Sequence, residues 1–168
     1  IGFNRGICLV LGDRMCQVAI ELAQKTELLI YMQFRKAQDF EKACKIVDEA
    51  GFYGTRIFIE KGPSTLSKIH LADNSVDAAV VLFKLPREVE TEVLRVLRPE
   101  GKALMGPNKV LVKHFPEGVD DWSHPYHGPD NNPQSEDRII RAPYLTHFLA
   151  EPRYAPLPQV AVASAGRM

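Results

Sequence analysis

What most constrains this chain is a regular alternation of short apolar runs with helix-period segments across residues 6–105. The run "GICLVLG" (6–12) is continuously apolar, as a central parallel strand covered on both faces must be. "CQVAIELAQ" (16–24) follows, with Val18, Ala19, Leu22 and Ala23 on one helical face. "ELLIYMQF" (27–34) is a second apolar strand. "DFEKACKIVDEAG" (39–51) spaces Phe40, Ala43, Cys44, Val47 and Ala50 for a second helix, with Asp39 as the expected N-cap and Gly51 as the stop. "TRIFIEKG" (55–62) and "SVDAAVVLF" (75–83) read as a third and a fourth strand. A helix is predicted from Pro86, burying Val89, Val93 and Leu97 and ending before Pro99, with "KALMG" (102–106) as the fifth strand. Strands joined by helices build a parallel sheet through right-handed crossovers. The fold class is therefore α/β: a Rossmann-like, mostly parallel sheet flanked by helices.

Beyond residue 106 the pattern stops. "GPNKVLVKHFPEGVDDWSHPYHGPDNNPQSEDR" is rich in Pro, Asp, Asn and His, and most of the twelve prolines fall from here onward. Such a stretch cannot continue the layered alternation. The expected organisation is an α/β domain at 1–106, an irregular Pro-rich linker or docking segment at 107–158, and a terminal β-strand at 159–168. "YLTHFLAEPRYAPLPQ" (144–159) reads as an extended arm packing on a neighbour. A lone strand such as "QVAVASAGRM" has nothing to bury its faces against. It is expected either to lead into more of the polypeptide or to pair with another chain. A first residue of Ile1 fits a removed leader as well as a cut from a larger precursor.

Charge narrows the partners. Twenty-one basic and 21 acidic residues balance to a formal charge of zero and are interspersed, which argues against nucleic acid or an anionic membrane surface as a partner. No apolar run approaches the roughly 20 residues of a membrane span. Three cysteines, Cys8, Cys16 and Cys44, with no C-x-x-C spacing fit neither a disulfide framework nor a structural zinc site. Cys8 and Cys44 read as inert buried thiols.

Two sets of residues carry potential chemistry. Asp13 and Arg14 follow the first strand, at the end where open α/β sheets place ligands. Arg14 there suits an anionic group, or the two form a surface pair on a tight turn. The second set is "DDWSHPYHGPDNN" (120–132). His124 and His127 with Asp121 and Asp130 supply imidazole and carboxylate groups that suit a divalent metal such as zinc, copper or iron. Alternatively Trp122 and Tyr126 anchor an ordered loop, and Asp130 and Asn131 form an Asx turn. Pro125 and Pro129 rule out a regular helix, so spacing does not choose between these readings. His70, His114 and His147 are isolated, Asp73-Asn74 reads as a turn, and no Ser-His-Asp, H-E-x-x-H or P-loop arrangement appears.

The order strand, glycine turn, helix, strand and helix, closing with "EVLRVLRPEGKALM", resembles the class I S-adenosylmethionine-dependent methyltransferase domain over about residues 5–106. The segment "EGVDDWSHPYHGPDNNPQS" through "PQVAVASAGRM" resembles bacterial secreted proteins in which such a domain precedes a pyrroloquinoline-quinone-dehydrogenase-like β-propeller. The first resemblance implies a cofactor loop of the type D/E-h-G-x-G-x-G. Only Gly12 matches it, while Arg14 and Cys16 stand near the later glycines. It also implies a ribose-binding acid ending the second strand, where this chain has Met32, Gln33 and Phe34, and an adenine-side acid near 61–63, where none is present. Gln33 retains the ability to bond a hydroxyl. The candidate cofactor residues are thus Gly12, Asp13, Arg14 and Gln33, on a site that departs from the S-adenosylmethionine pattern at three places.

The second resemblance implies a β-propeller domain or chain as partner and a periplasmic or extracellular setting. Three functions follow as expectations. The domain is a degenerate methyltransferase-like scaffold docking on a propeller, or an active methyltransferase, or the metal-binding portion of a propeller oxidoreductase or carbohydrate-active enzyme.

Overall fold

The computed structural model describes residues 2–63, 68–83, 86–106 and 109–139. The expectations for 144–159, for His147 and for the strand at 159–168 lie outside them. The chain divides into two compact units between His114 and Phe115.

The first unit runs β1 (Arg5–Leu11), α1 (Gln17–Lys25), β2 (Glu27–Phe34), α2 (Ala37–Glu49), β3 (Ile57–Lys61), β4 (Val76–Val81), α3 (Arg87–Val96), β5 (Leu97–Met105) and β6 (Lys109–Val112). The strands form one sheet in the order β3-β2-β1-β4-β5-β6. Strands β1 to β5 pair in parallel, and β6 joins β5 antiparallel. The chain is the Rossmann-like α/β sheet that its alternating pattern implies.

Successive residues of β1 feed two cores. Cys8 and Val10 pack with Ala19 and Ala23 of α1 and with Ala43 and Val47 of α2. Leu9 and Leu11 face the other way, toward Val89, Val93 and Val96 of α3. Every residue of β4 is buried, which is why that strand reads as an unbroken apolar run apart from Asp77. Each such Val or Leu contributes about 1.5–3 kcal/mol on leaving water. Burial pushes the thiols of Cys8 and Cys16 up to about 12, so both stay protonated and pack as small hydrophobes.

Three local expectations are corrected. Helix α3 stops at Val96, and Leu97 opens β5. Long-range pairing decides this boundary: the Glu100 N–H donates to the Lys113 carbonyl at 2.7 Å, and the Lys113 N–H to the Gly101 carbonyl at 3.1 Å. The proline signal at Pro99 therefore marks an irregularity within a strand, where the β4–β5 register shifts between Val76 and Ala78. Second, "KVLV" (109–112) forms β6, so the sheet extends past 106. Its four residues, close behind Pro107, are too few to stand out by periodicity. Third, the N-cap of α2 is Lys36, and Asp39 sits in the first turn, where its charge favours the helix dipole.

Among the described residues no helix joins β3 to β4. A strap at 69–73 runs there instead, tied to α3 by one carboxylate and one guanidinium. Glu92 accepts the Ile69 N–H at 2.9 Å, while Arg95 donates to the Ile69 and Leu71 carbonyls at 2.8 and 3.0 Å. Arg95 also pairs with Glu92 and Asp73. Ile69 is fully buried beneath this clamp.

Candidate functional site

Open α/β sheets bind ligands beyond the carboxyl ends of their strands, near the point where strand order reverses. That point lies between β1 and β4. A cavity of about 290 Å³ opens there, walled by Gly12, Phe34 and Phe83 and rimmed by Arg14, Arg35, Lys36 and Asp39, with Gln33 at its floor. Gly12 takes φ +87°, and a Cβ there would stand 2.5 Å from Phe83 Cδ1. Glycine is required for both reasons.

The sequence candidates around this cavity separate. Arg14 lines it, with a side chain 70% exposed and a long 3.9 Å approach to Asp39. Asp13 does not face it. Its carboxylate is buried and accepts the N–H groups of Gln17 at 3.2 Å and Ala19 at 2.9 Å, satisfying donors at the start of α1 that the helix itself leaves without partners. Asp13 thus acts as an internal cap of α1. Cys16 keeps a left-handed backbone, φ +55°, without being glycine. Its thiol is fully buried and lies 4.0 Å from the Ala43 carbonyl, beneath α2.

Gln33 lines the cavity floor, but its amide is already spent. The side chain is 4% exposed; Nε2 donates to the Lys68 carbonyl at 2.8 Å, and Oε1 accepts the His70 N–H at 2.9 Å. The Tyr31 hydroxyl stands 3.1 Å from Gln33 Oε1 and 2.6 Å from Glu60 Oε2. Glu60 Oε1 lies 2.7 Å from His70 Nδ1. A side chain on Gly62 would collide with the Gln33 amide, so that residue's bareness keeps the arrangement. The Tyr31 hydrogen bond, then the one from His70, hold the Glu60 carboxyl below its usual range, and burial followed by Glu60 raises the Tyr31 phenol. Periodicity signals little of this network, although Tyr31 and Gln33 share one face of β2 and Glu60 stands beside Gln33 in register.

In the second unit the proposed metal ligands part company. His124 and His127 exchange backbone hydrogen bonds of 3.1 Å in both directions. The His124 ring turns to Ser123 Oγ, 2.9 Å away, and His127 Nε2 lies 2.7 Å from Asp120 Oδ2. Asp130 accepts the Asn132 N–H at 3.4 Å, the Asx-turn geometry. Among the described residues no group of three or more His, Cys, Asp or Glu is placed to hold a metal ion. His124, His127, Asp121 and Asp130 are therefore not gathered into a ligand set. The organising group is Asp120, which also accepts the Glu136 N–H at 2.7 Å and the Ser135 hydroxyl at 3.1 Å.

This pair makes the loop pH-sensitive. The Asp120 hydrogen bond raises the His127 pKa, and the His127 hydrogen bond lowers that of Asp120 to about 2. A raised histidine contributes stability in full below its ordinary value of about 6.5, and loses it as pH rises through the folded-state value. The lowered carboxyl contributes above its ordinary value and is lost only as pH falls toward 2. Trp122, the sole tryptophan of the chain, lies 5.2 Å from the His127 ring centroid and reports on it. Its fluorescence is expected to titrate with a midpoint above about 6.5 that Asp120→Asn moves downward. A midpoint unmoved by that substitution would show that the pair is not formed.

The fold is methyltransferase-like. The structure is similar to a protein from Methanococcus maripaludis assigned as an S-adenosyl-L-methionine-dependent methyltransferase, at 24% identity and TM-score 0.57, over 62% of this chain and 49% of that one. It is similar to an S-adenosylmethionine-dependent methyltransferase from Aquifex aeolicus, at 20% identity and TM-score 0.52, over 58% and 54% of the two chains. It is also similar to the [4+2]-cyclase SpnF, at 22% identity and TM-score 0.53, over 60% and 38%. The chain spans about half or less of the length of these structures. No family model matches the sequence, and no curated protein matches it. At these identities the likeness is one of fold, and a cyclase among the neighbours illustrates that the fold alone does not prescribe a reaction.

Proposed function

We propose that the first unit is a methyltransferase-like scaffold that no longer holds S-adenosylmethionine in the family's manner, and that it docks on a β-propeller in the same polypeptide or in a partner chain. The observation that carries this reading is Gln33. At the end of β2, the stretch Met32 to Phe34 where the resemblance puts the ribose-binding carboxylate, the polar side chain is a neutral amide whose carbonyl and amino ends are both engaged by the 68–70 backbone. Freeing it for a ribose would leave buried polar groups unpaired, at about 1–3 kcal/mol each. Charge supports the same conclusion. S-adenosylmethionine carries a sulfonium, and the rim sets Arg14, Arg35 and Lys36 against the one carboxylate of Asp39. The docking half of the proposal and the periplasmic setting rest on the sequence resemblance of the 117–135 segment.

Calorimetric titration with S-adenosylmethionine and S-adenosylhomocysteine tests the scaffold reading. No binding tighter than about 1 mM, some −4 kcal/mol, is expected. A micromolar dissociation constant would overturn it. The intact mass of the native polypeptide, with the identity of whatever co-purifies, tests the docking half. A propeller in the same chain or bound to it is expected, and a native chain of this size without one would reject that half.

A further inference from the structure

We infer that the cavity over β1, β2 and β4 is a binding site for a small phosphate-bearing molecule with an aromatic body, of the chemical class of a nucleoside diphosphate. The inference goes beyond the scaffold reading, which stands whether or not the cavity is filled.

Three features converge. The first is charge. The chain as a whole is neutral, yet this rim places Arg14, Arg35 and Lys36 around one acid. Arg14 reaches Asp39 only at 3.9 Å, and Arg35 and Lys36 are exposed. Three cations gathered around one acid at a concave site suit an anion carrying more than one charge.

The second feature is the α2 N-terminus. This 13-residue helix follows the N-cap Lys36, whose side chain makes no capping hydrogen bond. The positive end of its dipole lies where Lys36 and Asp39 line the cavity, and the N-cap side chain does not cover it. Asp39 offsets part of that field but leaves the balance positive. The contrast with α1 is informative. There the Asp13 carboxylate already occupies the helix start, so the loop after β1 has no vacancy for a phosphate.

The third feature is the wall. Phe34 and Phe83 line the cavity with Gly12, and the Phe83 ring lies beside the bare Gly12 backbone, giving the site an apolar wall. A volume of about 290 Å³ lies at the small end of ligand sites. A mononucleotide whose ring enters and whose phosphates stay at the cationic rim fits that division between dry wall and wet edge.

The test is calorimetric titration of the full chain at low ionic strength with ADP, adenosine and inorganic pyrophosphate in separate runs. ADP is expected to bind, adenosine and pyrophosphate each at least about tenfold more weakly, and the ADP affinity to fall steeply with salt. The double variant Arg35→Ala/Lys36→Ala, both side chains being exposed, is expected to keep the wild-type circular dichroism and to weaken ADP at least about tenfold. Absence of ADP binding at millimolar concentration, equal affinity for ADP and adenosine, or an unchanged ADP affinity in a folded double variant would each overturn the site. Pyrophosphate binding as tightly as ADP would overturn the aromatic half. Binding of S-adenosylmethionine would overturn the scaffold reading and leave these ADP outcomes to be judged separately.

Discussion

Replacing Arg98 by Ala is expected to lower the unfolding free energy by about 3–5 kcal/mol, the range found when one partner of a buried ion pair is removed. Arg98 Nε lies 2.7 Å from Asp77 Oδ1, and the two side chains are 13% and 5% exposed. Asp77 Oδ2 accepts the Ile7 N–H at 2.8 Å, and the Arg98 Nη1 donates to the Pro99 carbonyl at 2.8 Å. The guanidinium also lies 5.4 Å from the Phe3 ring centroid. One ion pair thus ties together β1, β4 and β5, at the end of the sheet away from the cavity. Truncating the arginine leaves a carboxylate buried without its guanidinium, and the cost is that charge rather than the lost attraction. Urea denaturation followed by circular dichroism measures it. Arg98→Lys is expected to fall between wild type and Ala, since an ammonium keeps the charge and loses the planar fork. A midpoint within error of wild type for Arg98→Ala would mean that water reaches Asp77 and that the pair is ornamental to stability.

Gln33→Glu is expected to cost about 1–3 kcal/mol at neutral pH, although it places at the end of β2 the carboxylate that the methyltransferase resemblance implies. The change is nearly isosteric, so the cost lies in polarity. Nε2 now donates to the Lys68 carbonyl at 2.8 Å; a carboxylate oxygen there would confront another acceptor. The new charge would also lie close to Glu60, which shares the Tyr31 hydroxyl with position 33. Burial and a like charge both raise a carboxyl pKa. Such a group destabilises the fold most where it must ionise and least where it stays protonated, so the penalty should shrink as pH falls from 8 toward 4. Denaturation midpoints of variant and wild type at pH 5 and pH 8 test this directly. A gap that is the same at both pH values, or no gap, would show that the strap releases position 33 readily. Under the scaffold reading the variant gains no affinity for S-adenosylmethionine, because the strap and not only the amide closes the position.

The Tyr31, Gln33 and Glu60 cluster and the Asp13 cap share one lesson about legibility. Each candidate at the carboxyl ends of the strands is recognisable from sequence as a polar residue at a ligand-prone place, and Gly12, Arg14 and Gln33 do line one cavity. What each polar group touches is settled by reach. Asp13 bends to donors four and six residues ahead, whereas Gln33 is claimed by backbone 35 and 37 residues away. In the 120–132 loop the same rule dissolves the apparent ligand cluster. His127 finds Asp120, Asp120 finds backbone at 136, and among the described residues no group placed to hold a metal ion remains.

The alternation of apolar runs and helical faces was enough by itself to establish the first five strands, the three helices between them, their order along the chain and the parallel character of the sheet, because both periodicities are properties of neighbouring residues. Tertiary structure alone decided where β5 begins, that β6 exists, which way Asp13 and Cys16 point and what occupies Gln33. Those outcomes hinge on contacts between segments far apart in the chain, where a buried donor or acceptor takes whichever partner the packing brings within about 3 Å.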